Sequence, residues 1–352
     1  MRINKLRRVM LKNDLPTLIV TSRPNIYYLS GFTGSNATLF ITEKENFLLT
    51  DFRYLEQAEK EAPAFKILKA DREVGKKISE LSSSLTRIGI EEEEVSWAQY
   101  KKWEKEFAGV RLVEASKLLG QLREIKDREE IEIIRQAVEI TDRAFKQILN
   151  RIKLGVEERE ISLELEFFLR REGASAASFE YIVASGFRGA LPHGVASEKK
   201  IKNGELLTMD FGAKYQGYCS DLTRTVSIGK PTLKQKEVYN LVLEAQLAAL
   251  EAIKPGLKGK EIDRVARDII SKAGYGEYFG HGLGHSVGLE IHESPFLNTR
   301  EEKVLEPGMI VTVEPGIYIP GWGGVRIEDM VLVTNSGAEV LTQASKEFII
   351  ID

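Results

Sequence analysis

The feature that most constrains the fold of this chain is an internal repeat in its C-terminal part. Ile152-Lys153-Leu154-Gly155 opens one helical pattern and Ile253-Lys254-Pro255-Gly256 opens another, with matched positions 101 residues apart. In the first copy, a long helical segment over 127–151 is followed by a second helix that ends at Gly173 and by β-rich sequence over 206–228. In the second copy, a long helical segment over 233–253 is followed by a second helix that ends at Gly274 and by β-rich sequence over 309–334. This shared order predicts a duplicated unit of helix, helix and β-ribbon.

The N-terminal third alternates between short apolar runs and amphipathic segments. Five runs are typical of strands, namely 18–20, 38–42, 47–50, 88–91 and 110–113. Helical periodicity covers 73–84 and 96–107. This alternation predicts a smaller α/β domain over residues 1–122. A capping-box pattern at Asp127 opens the next helix, so we assign the second domain to 123–352 and the whole chain to the α+β class.

Composition and charge narrow the function classes. Lys and Arg number 50 and Asp and Glu number 53, which gives a net charge of −3. A nucleic-acid binder usually carries a basic excess, so we expect no nucleic-acid partner. We also expect no membrane association, because no segment has the ~20 apolar residues of a membrane span or the apolar core of a signal peptide. The single Cys219 fits a reducing compartment, and we predict a cytoplasmic protein.

Four carboxylates interrupt the apolar, strand-like sequence of the two ribbons. Asp210 and Asp221 lie 11 residues apart in the first ribbon, and Glu314 and Glu328 lie 14 residues apart in the second. A lone aspartate in such a place is more often a turn or cap residue. The duplication, however, pairs these acids and predicts that they face each other across a pseudo-twofold axis. Because four buried carboxylates repel each other unless a cation neutralises them, we predict a two-metal centre.

The four histidines lie within one hundred residues of each other: His193, His281, His285 and His292. We expect one of them to be a fifth ligand. His281 and His285 have the i, i+4 spacing of a helical zinc pair, but the glycines around them argue against a helix. This segment is therefore predicted to be a loop or an irregular strand in which the backbone approaches a ligand closely.

The segment Gly284-His285-Ser286-Val287-Gly288 also matches the nucleophile elbow of serine hydrolases. That motif requires a strand, a turn and a helix, with an acid and then a histidine following. The only later histidine is His292, six residues after Ser286, which leaves no room for the remaining strands. We therefore reject the serine-hydrolase interpretation.

Five segments of the second domain resemble the metal-ligand segments of the pita-bread metallopeptidases, a superfamily that includes methionine aminopeptidase, aminopeptidase P, prolidase and creatinase. They are residues 209–212, 220–224, 281–285, 314–316 and 326–328. Residues 182–197 resemble the proline-specific members, and residues 25–32 resemble their N-terminal domain. The resemblance covers essentially the whole chain and implies a C-terminal pita-bread domain.

The resemblance also implies a role for each matched residue. The implied metal ligands are Asp210, Asp221, His285, Glu314 and Glu328, with Asp221 and Glu328 bridging two ions. The implied catalytic residues are His193, His292 and Glu314, with Glu314 as the proton shuttle, and the implied substrate-binding residues are His281 and Arg326. Arg326 would contact a substrate carboxylate or steady nearby acids. Such a ligand set suits two divalent ions, Mn or Co first and Zn or Fe as alternatives.

The implied activity is hydrolysis of the Xaa-Pro bond at peptide N-termini by a metal-bridged hydroxide, a bond that most peptidases avoid. The N-terminal domain argues against methionine aminopeptidase, and the complete ligand set argues against creatinase. Two readings remain open within the class: an Xaa-Pro dipeptidase (prolidase), which we favour slightly on chain length, and an aminopeptidase P acting on longer peptides. A third alternative is a catalytically inactive relative that binds peptides or proteins. The family also implies a homodimer.

Overall fold

The computed structural model describes residues 2–71, 73–81 and 86–352. The chain divides into two compact units, Met1–Arg123 (unit 1) and Glu124–Asp352 (unit 2). Among the described residues, the longest helices are too polar or too short to cross a bilayer.

Unit 1 is an α/β sheet structure, as the alternation of the sequence predicts. Its described strands are β1 (Thr17–Val20), β2 (Ala37–Thr42), β3 (Asn46–Thr50), β4 (Lys66–Lys69), β5 (Arg87–Ile90) and β6 (Arg111–Glu114). Its described helices are α1 (Arg2–Lys12), α2 (Arg23–Ser30), α3 (Leu55–Glu61), α4 (Val74–Leu81), α5 (Trp97–Glu106) and α6 (Ser116–Glu124). The strands form one sheet in the order β4-β3-β2-β1-β5-β6.

The prediction for unit 1 is confirmed for its strands and incomplete for its helices. Each of the five predicted strands is observed within one residue of its predicted bounds. The helix predicted over 73–84 is observed as α4, and its last positions, 82–84, lie outside the described residues. Strand β4 and helices α1, α2, α3 and α6 are observed in addition to the predicted elements.

The helices of unit 2 begin where side chains satisfy their free backbone N–H groups. They are α7 (Arg128–Ile148), α8 (Glu158–Arg171), α9 (Leu233–Ala252) and α10 (Gly259–Lys272). Asp127 and Glu130 form the predicted capping box at the start of α7, with each side chain accepting from the other residue's backbone N–H. Thr232 and Gln235 form the same box at the start of α9.

The strands of unit 2 form two main sheets that repeat the same connectivity. The strands are β7 (Ala176–Ala177), β8 (Ile182–Ser185), β9 (Leu206–Phe211), β10 (Ala213–Tyr215), β11 (Tyr218–Cys219), β12 (Leu222–Ile228), β13 (Gly284–Ser286), β14 (Glu293–Leu297), β15 (Ile310–Val313), β16 (Gly316–Ile319), β17 (Gly323–Arg326), β18 (Asp329–Val333), β19 (Ala338–Val340) and β20 (Ile350–Ile351). One sheet has the order β20-β12-β9-β8 and the other the order β14-β13-β15-β18-β19. Antiparallel β8-β9-β12 therefore corresponds to antiparallel β13-β15-β18, and the predicted duplication is confirmed.

Each half of unit 2 has its own hydrophobic core. One cluster contains apolar residues of α7, α8, β9 and β12, including Phe145 and Leu207. The other contains apolar residues of α9, α10, β15 and β18, including Val242 and Val311. The two ribbons therefore rest on separate cores.

Candidate metal centre

A cavity of about 460 Å³ in unit 2 brings together the residues singled out in the sequence. All nine of them line it: His193, Asp210, Asp221, His281, His285, His292, Glu314, Arg326 and Glu328. Apolar side chains complete the lining, among them Phe179, Ile182, Val195 and Phe296. A cavity of this size with convergent polar groups has the properties of a ligand site.

Each half of the duplicated domain supplies its carboxylates from one antiparallel strand pair. In the first half, Asp210 lies on β9 and Asp221 directly precedes β12, which pairs with β9. In the second half, Glu314 directly follows β15 and Glu328 directly precedes β18, which pairs with β15. The backbone N–H of Glu328 donates to the carbonyl of Thr223 at 3.1 Å, so the two strand pairs meet at the carboxylates.

Three of these carboxylates form a compact cluster. One oxygen each of Asp210, Asp221 and Glu328 lies within 4.8 Å of the others. The three side chains are buried, and Asp210 Oδ1, Asp221 Oδ1 and Glu328 Oε1 have no hydrogen-bond partner among the described residues. Unpartnered buried carboxylate oxygens are costly unless a cation binds them. The cluster therefore fits a divalent metal ion on the chemistry of its donor set.

The pKa values of these acids show that their charged forms are unfavourable when no cation is bound. Burial raises the pKa of Asp221 well above its usual range, and the charges of Glu328 and Asp210 raise it further. Burial, followed by the charges of Glu314 and Asp210, likewise raises the pKa of Glu328 well above its usual range. Burial also raises the pKa of Asp210, against the lowering effect of the Arg326 charge. Without a metal ion, these three acids therefore retain their protons to a higher pH than free carboxyl groups do.

His285 and Glu314 form a second group of donors beside the cluster. His285 Nε2 lies 3.3 Å from Glu314 Oε1 and 3.7 Å from Asp221 Oδ2. His285 Nδ1 lies 3.2 Å from the Ser286 carbonyl, which can only accept, so Nδ1 carries the proton and Nε2 faces the carboxylates. Burial alone would raise the pKa of Glu314, but the hydrogen bond and charge of His285 lower it to about 2.

The strand that carries His285 depends on a glycine. A Cβ atom on Gly284 would lie 2.1 Å from the Thr312 carbonyl oxygen, so only glycine allows β13 to approach β15 this closely. The Thr312 hydroxyl accepts from the His285 N–H at 3.0 Å and donates to Glu314 Oε1 at 3.0 Å. Thr312 thereby fixes both His285 and Glu314. The predicted irregular strand is observed as β13, which has a bulge after His285.

Arg326 is buried and its guanidinium is fully engaged with protein groups. Its Nη2 atom forms an ion pair with Asp210. Its Nε atom donates to Thr223 Oγ1 at 3.0 Å, and its Nη1 atom donates to the Tyr318 hydroxyl at 2.8 Å. The same nitrogen reaches the Pro192 carbonyl at 3.2 Å. Of the two roles that the sequence left open for Arg326, this geometry supports steadying the nearby acids.

His281 is held by the same network. Because Arg326 donates to the Tyr318 oxygen, the Tyr318 O–H is directed at His281 Nε2, 2.9 Å away. His281 Nδ1 donates to the Gly282 carbonyl at 2.7 Å. Burial is the main cause of the lowered pKa of His281, which agrees with a neutral ring that accepts a hydrogen bond from Tyr318.

His193 and His292 lie at the exposed side of the cavity. Both residues are exposed, whereas His285 is buried. The His292 ring lies 4.4 Å from the His285 ring, centroid to centroid, at an interplanar angle of 73°. Burial and then the charge of His285 lower the pKa of His292. An incoming ligand can therefore contact these two imidazoles without breaking the hydrogen bonds that hold the buried carboxylates.

The structure places Ser286 away from this chemistry. Its side chain is fully buried, lies in a strand, and accepts a hydrogen bond from Lys126 Nζ at 3.0 Å. It is absent from the cavity lining. The rejection of a serine nucleophile at this position therefore agrees with the structure.

Sequence reasoning missed Thr223, Thr312 and Tyr318, which support the ligand residues by hydrogen bonds. Thr223 offered one signal, because it lies within a strand segment already singled out and its register partner on β9 is Asp210. Tyr318 offered none, since its partners His281 and Arg326 lie on other segments, and Thr312 offered only its position two residues before Glu314. Their side chains become informative only after the fold is known.

Replacing Thr223 by valine is expected to weaken metal binding by about 10- to 100-fold, because supporting hydrogen bonds orient metal ligands. Thr223 Oγ1 donates to Glu328 Oε2 at 2.6 Å and accepts from Arg326, and valine has the same shape without either bond. Calorimetric titration of the metal-free protein with Mn²⁺ measures the change. Thr50→Val is the control, since Thr50 is a buried threonine of unit 1 that bonds a backbone carbonyl. Wild-type affinity in Thr223→Val would contradict this assignment.

Comparisons with known proteins agree with the geometry. Metallopeptidase family M24 matches residues 132–335, and the Creatinase/Prolidase N-terminal domain matches residues 2–125. An Xaa-Pro dipeptidase of Pyrococcus horikoshii is 41% identical, over 99% of this chain and 98% of its own length. A solved Xaa-Pro dipeptidase from Bacillus anthracis superposes with a TM-score of 0.96 at 47% identity, covering 99% of each chain. An X-Pro aminopeptidase from Thermotoga maritima superposes with a TM-score of 0.92 at 39% identity, also covering 99% of each chain.

Proposed function

The chain belongs to metallopeptidase family M24, and on that premise we propose that it hydrolyses the bond before proline at peptide N-termini in a metal-dependent reaction. The observation that carries the proposal is the cluster of three buried carboxylates with unpartnered oxygens, beside the His285–Glu314 pair. Full-length relatives named for Xaa-Pro hydrolysis support the substrate class.

We propose that two divalent ions are held by the five donors of the cavity. Asp210 would hold one ion, His285 and Glu314 would hold the other, and Asp221 and Glu328 would be shared between them. When bound, such ions polarise a carbonyl group and lower the pKa of water, which is the chemistry that amide hydrolysis requires. Mn or Co suits oxygen donors with one imidazole, and Zn or Fe is the alternative.

The remaining residues of the cavity would bind and orient the peptide and move protons. Glu314 is the proposed proton carrier, because its carboxylate lines the cavity, with Oε1 3.3 Å from His285 Nε2. His193 and His292 would donate hydrogen bonds to a substrate carbonyl oxygen, a role supported by their exposure on the cavity lining. His281 would contact the proline side, and Arg326 would hold Asp210 and Tyr318 in place.

Within the class, an Xaa-Pro dipeptidase is the main proposal. It is supported by the names of full-length relatives at 41% to 47% identity. An aminopeptidase acting on longer Xaa-Pro peptides is the alternative, supported by the similarity to the Thermotoga maritima structure. We further propose a homodimer, which the family resemblance implies, and a cytoplasmic location, which the single Cys219 favours.

The direct test is exhaustive chelation followed by addition of Mn²⁺ or Co²⁺. Hydrolysis of an Xaa-Pro dipeptide is expected to fall to background after chelation and to return on addition, while an Xaa-Ala dipeptide remains uncleaved. Comparison of kcat/KM on an Xaa-Pro dipeptide and an Xaa-Pro-Yaa tripeptide separates the two proposals. Full activity of protein that elemental analysis finds free of metal would overturn the metal-dependent reaction. Loaded protein that cleaves no proline peptide would favour the inactive relative.

A further inference from the structure

A buried lysine lies beneath the 286–293 loop, which directly follows His285 and contains His292. Lys126 precedes α7, and its side chain is 1% exposed. Its ammonium donates to Ser286 Oγ at 3.0 Å and to Glu293 Oε2 at 3.1 Å. Ser286 directly follows His285, and Glu293 directly follows His292. One cation therefore links the chain neighbours of both histidines across the 286–293 loop.

From this geometry we propose that Lys126 is a positioning residue, which holds the 286–293 loop so that His285 and His292 face the cavity at their observed separation. The inference rests on the proposed function, because it assigns Lys126 a part in that reaction. Lys126 does not line the cavity and contacts neither histidine. Apart from a 3.5 Å contact with the Glu124 carbonyl two residues away, its ammonium acts through Ser286 and Glu293.

The contacts of Lys126 form a built site with fixed geometry. The Lys126 N–H donates to the Gly308 carbonyl at 2.9 Å, which anchors the backbone from which the side chain extends. A Cβ atom on Gly288 would lie 2.5 and 2.6 Å from the two Glu293 carboxylate oxygens, so the loop closes tightly over the ion pair. The Glu290 N–H also donates to Glu293 Oε1 at 3.2 Å. Glu293 thereby fixes the loop at two points.

Stability alone is a poor explanation for this pair. Burying a lysine and a glutamate removes both charges from water, and apolar residues of similar volume often replace such pairs without loss of stability. What an apolar replacement would not reproduce is the directional link to Ser286 and Glu293. The His285 and His292 rings are 4.4 Å apart, and a displacement of about 1 Å at reacting groups can reduce a rate by about 100-fold.

The other half of the duplicated domain offers a matched lysine for comparison. Lys199 Nζ donates to Ser185 Oγ at 2.7 Å and to Glu205 Oε2 at 2.6 Å. Ser185 lies 101 residues before Ser286 and is equally buried. Neither Ser185 nor Glu205 adjoins a cavity histidine. Lys199 therefore bonds the same two residue types, with its side chain 14% exposed, and neither of these partners is a chain neighbour of a cavity histidine.

The experiment compares Lys126→Met with Lys199→Met in the full-length, Mn²⁺-loaded protein. Lys126→Met is expected to lower kcat by about 30-fold on an Xaa-Pro dipeptide while KM stays within about threefold, because orientation is lost and binding groups remain. Hydrogen exchange of the metal-free protein is expected to accelerate over 284–297 in this variant. Lys199→Met should keep kcat within about twofold and leave exchange over 284–297 unchanged.

Two milder variants cover the case in which Lys126→Met does not fold. Ser286→Ala and Glu293→Gln each remove one link and are expected to lower kcat by about 3- to 10-fold at unchanged KM. Wild-type kcat in folded Lys126→Met, or in both milder variants, would overturn the proposal, as would an equal loss in Lys199→Met. If the wild-type protein itself cleaves no proline peptide, the proposed function fails. The exchange comparison then still decides whether Lys126 orders the loop.

Discussion

Replacing Asp221 by asparagine is expected to lower kcat/KM for Xaa-Pro hydrolysis by about 10³- to 10⁴-fold. A bound metal ion supplies several kcal/mol of transition-state stabilisation, and about 1.4 kcal/mol corresponds to a tenfold change in rate. Asp221 belongs to the carboxylate cluster, and one of its oxygens lies within 4.8 Å of an oxygen of both Asp210 and Glu328. Asparagine keeps the shape and one oxygen but loses the charge that would hold the ions.

The same substitution is expected to raise the melting temperature of the chelated protein. Burial and the neighbouring acids make an ionised Asp221 unfavourable in the metal-free fold, and asparagine removes that repulsion. Peptidase assays of the Mn²⁺-loaded protein and thermal melts of the chelated protein measure the two effects. Asp142→Asn is the control, because Asp142 is a buried aspartate with a burial-raised pKa that lies outside the cavity. Activity within tenfold of wild type in Asp221→Asn would contradict the assignment.

Removal of metal is expected to make stability strongly dependent on pH. In the unfolded chain Asp221 and Glu328 ionise near 3.8 and 4.5, but both pKa values are raised well above these in the metal-free fold. The folded state therefore retains protons that the unfolded state has released, so the free energy of unfolding falls as pH rises above about 4.5. The raised pKa of His285 acts in the same direction above its usual 6.5.

Bound metal is expected to reverse this loss. At an ion concentration 1,000 times Kd, binding to the folded state adds about 4 kcal/mol, which corresponds to roughly 10 °C in melting temperature. Melts of the chelated and Mn²⁺-loaded protein at about pH 5 and about pH 8 measure it, with the larger gain at the higher pH. Asp221→Asn is the control and should show a smaller gain. Equal melting temperatures at both pH values, with and without Mn²⁺, would show that the cluster binds no ion.

Features that depend on neighbours in sequence were predictable here. The capping boxes at Asp127 and Thr232 involve side chains three residues apart, so their residue types announce the helix starts. The duplication was visible because the same order of elements recurs at one fixed offset. The four carboxylates were predictable because an acid in an apolar strand is unusual. In addition, each acid of the first ribbon has a counterpart in the second ribbon.

Features that depend on tertiary partners were not predictable. Tyr318 joins Arg326 to His281, and Lys126 reaches Ser286 across 160 residues of sequence. Nothing local distinguishes these side chains from an ordinary strand tyrosine or a surface lysine. Strand β4 was missed for a related reason, since a short edge strand with Lys at both ends has no clear alternation.

The separate cores of the two halves of unit 2 have a consequence for how the protein matures. Asp210 and Asp221 come from one half, and Glu314, Glu328 and His285 come from the other. A chain in which only one half has folded presents at most an incomplete donor set and holds an ion weakly. If the proposed site binds its ions, tight binding would require both halves to have folded and packed together, and the bound ions would then stabilise that packing.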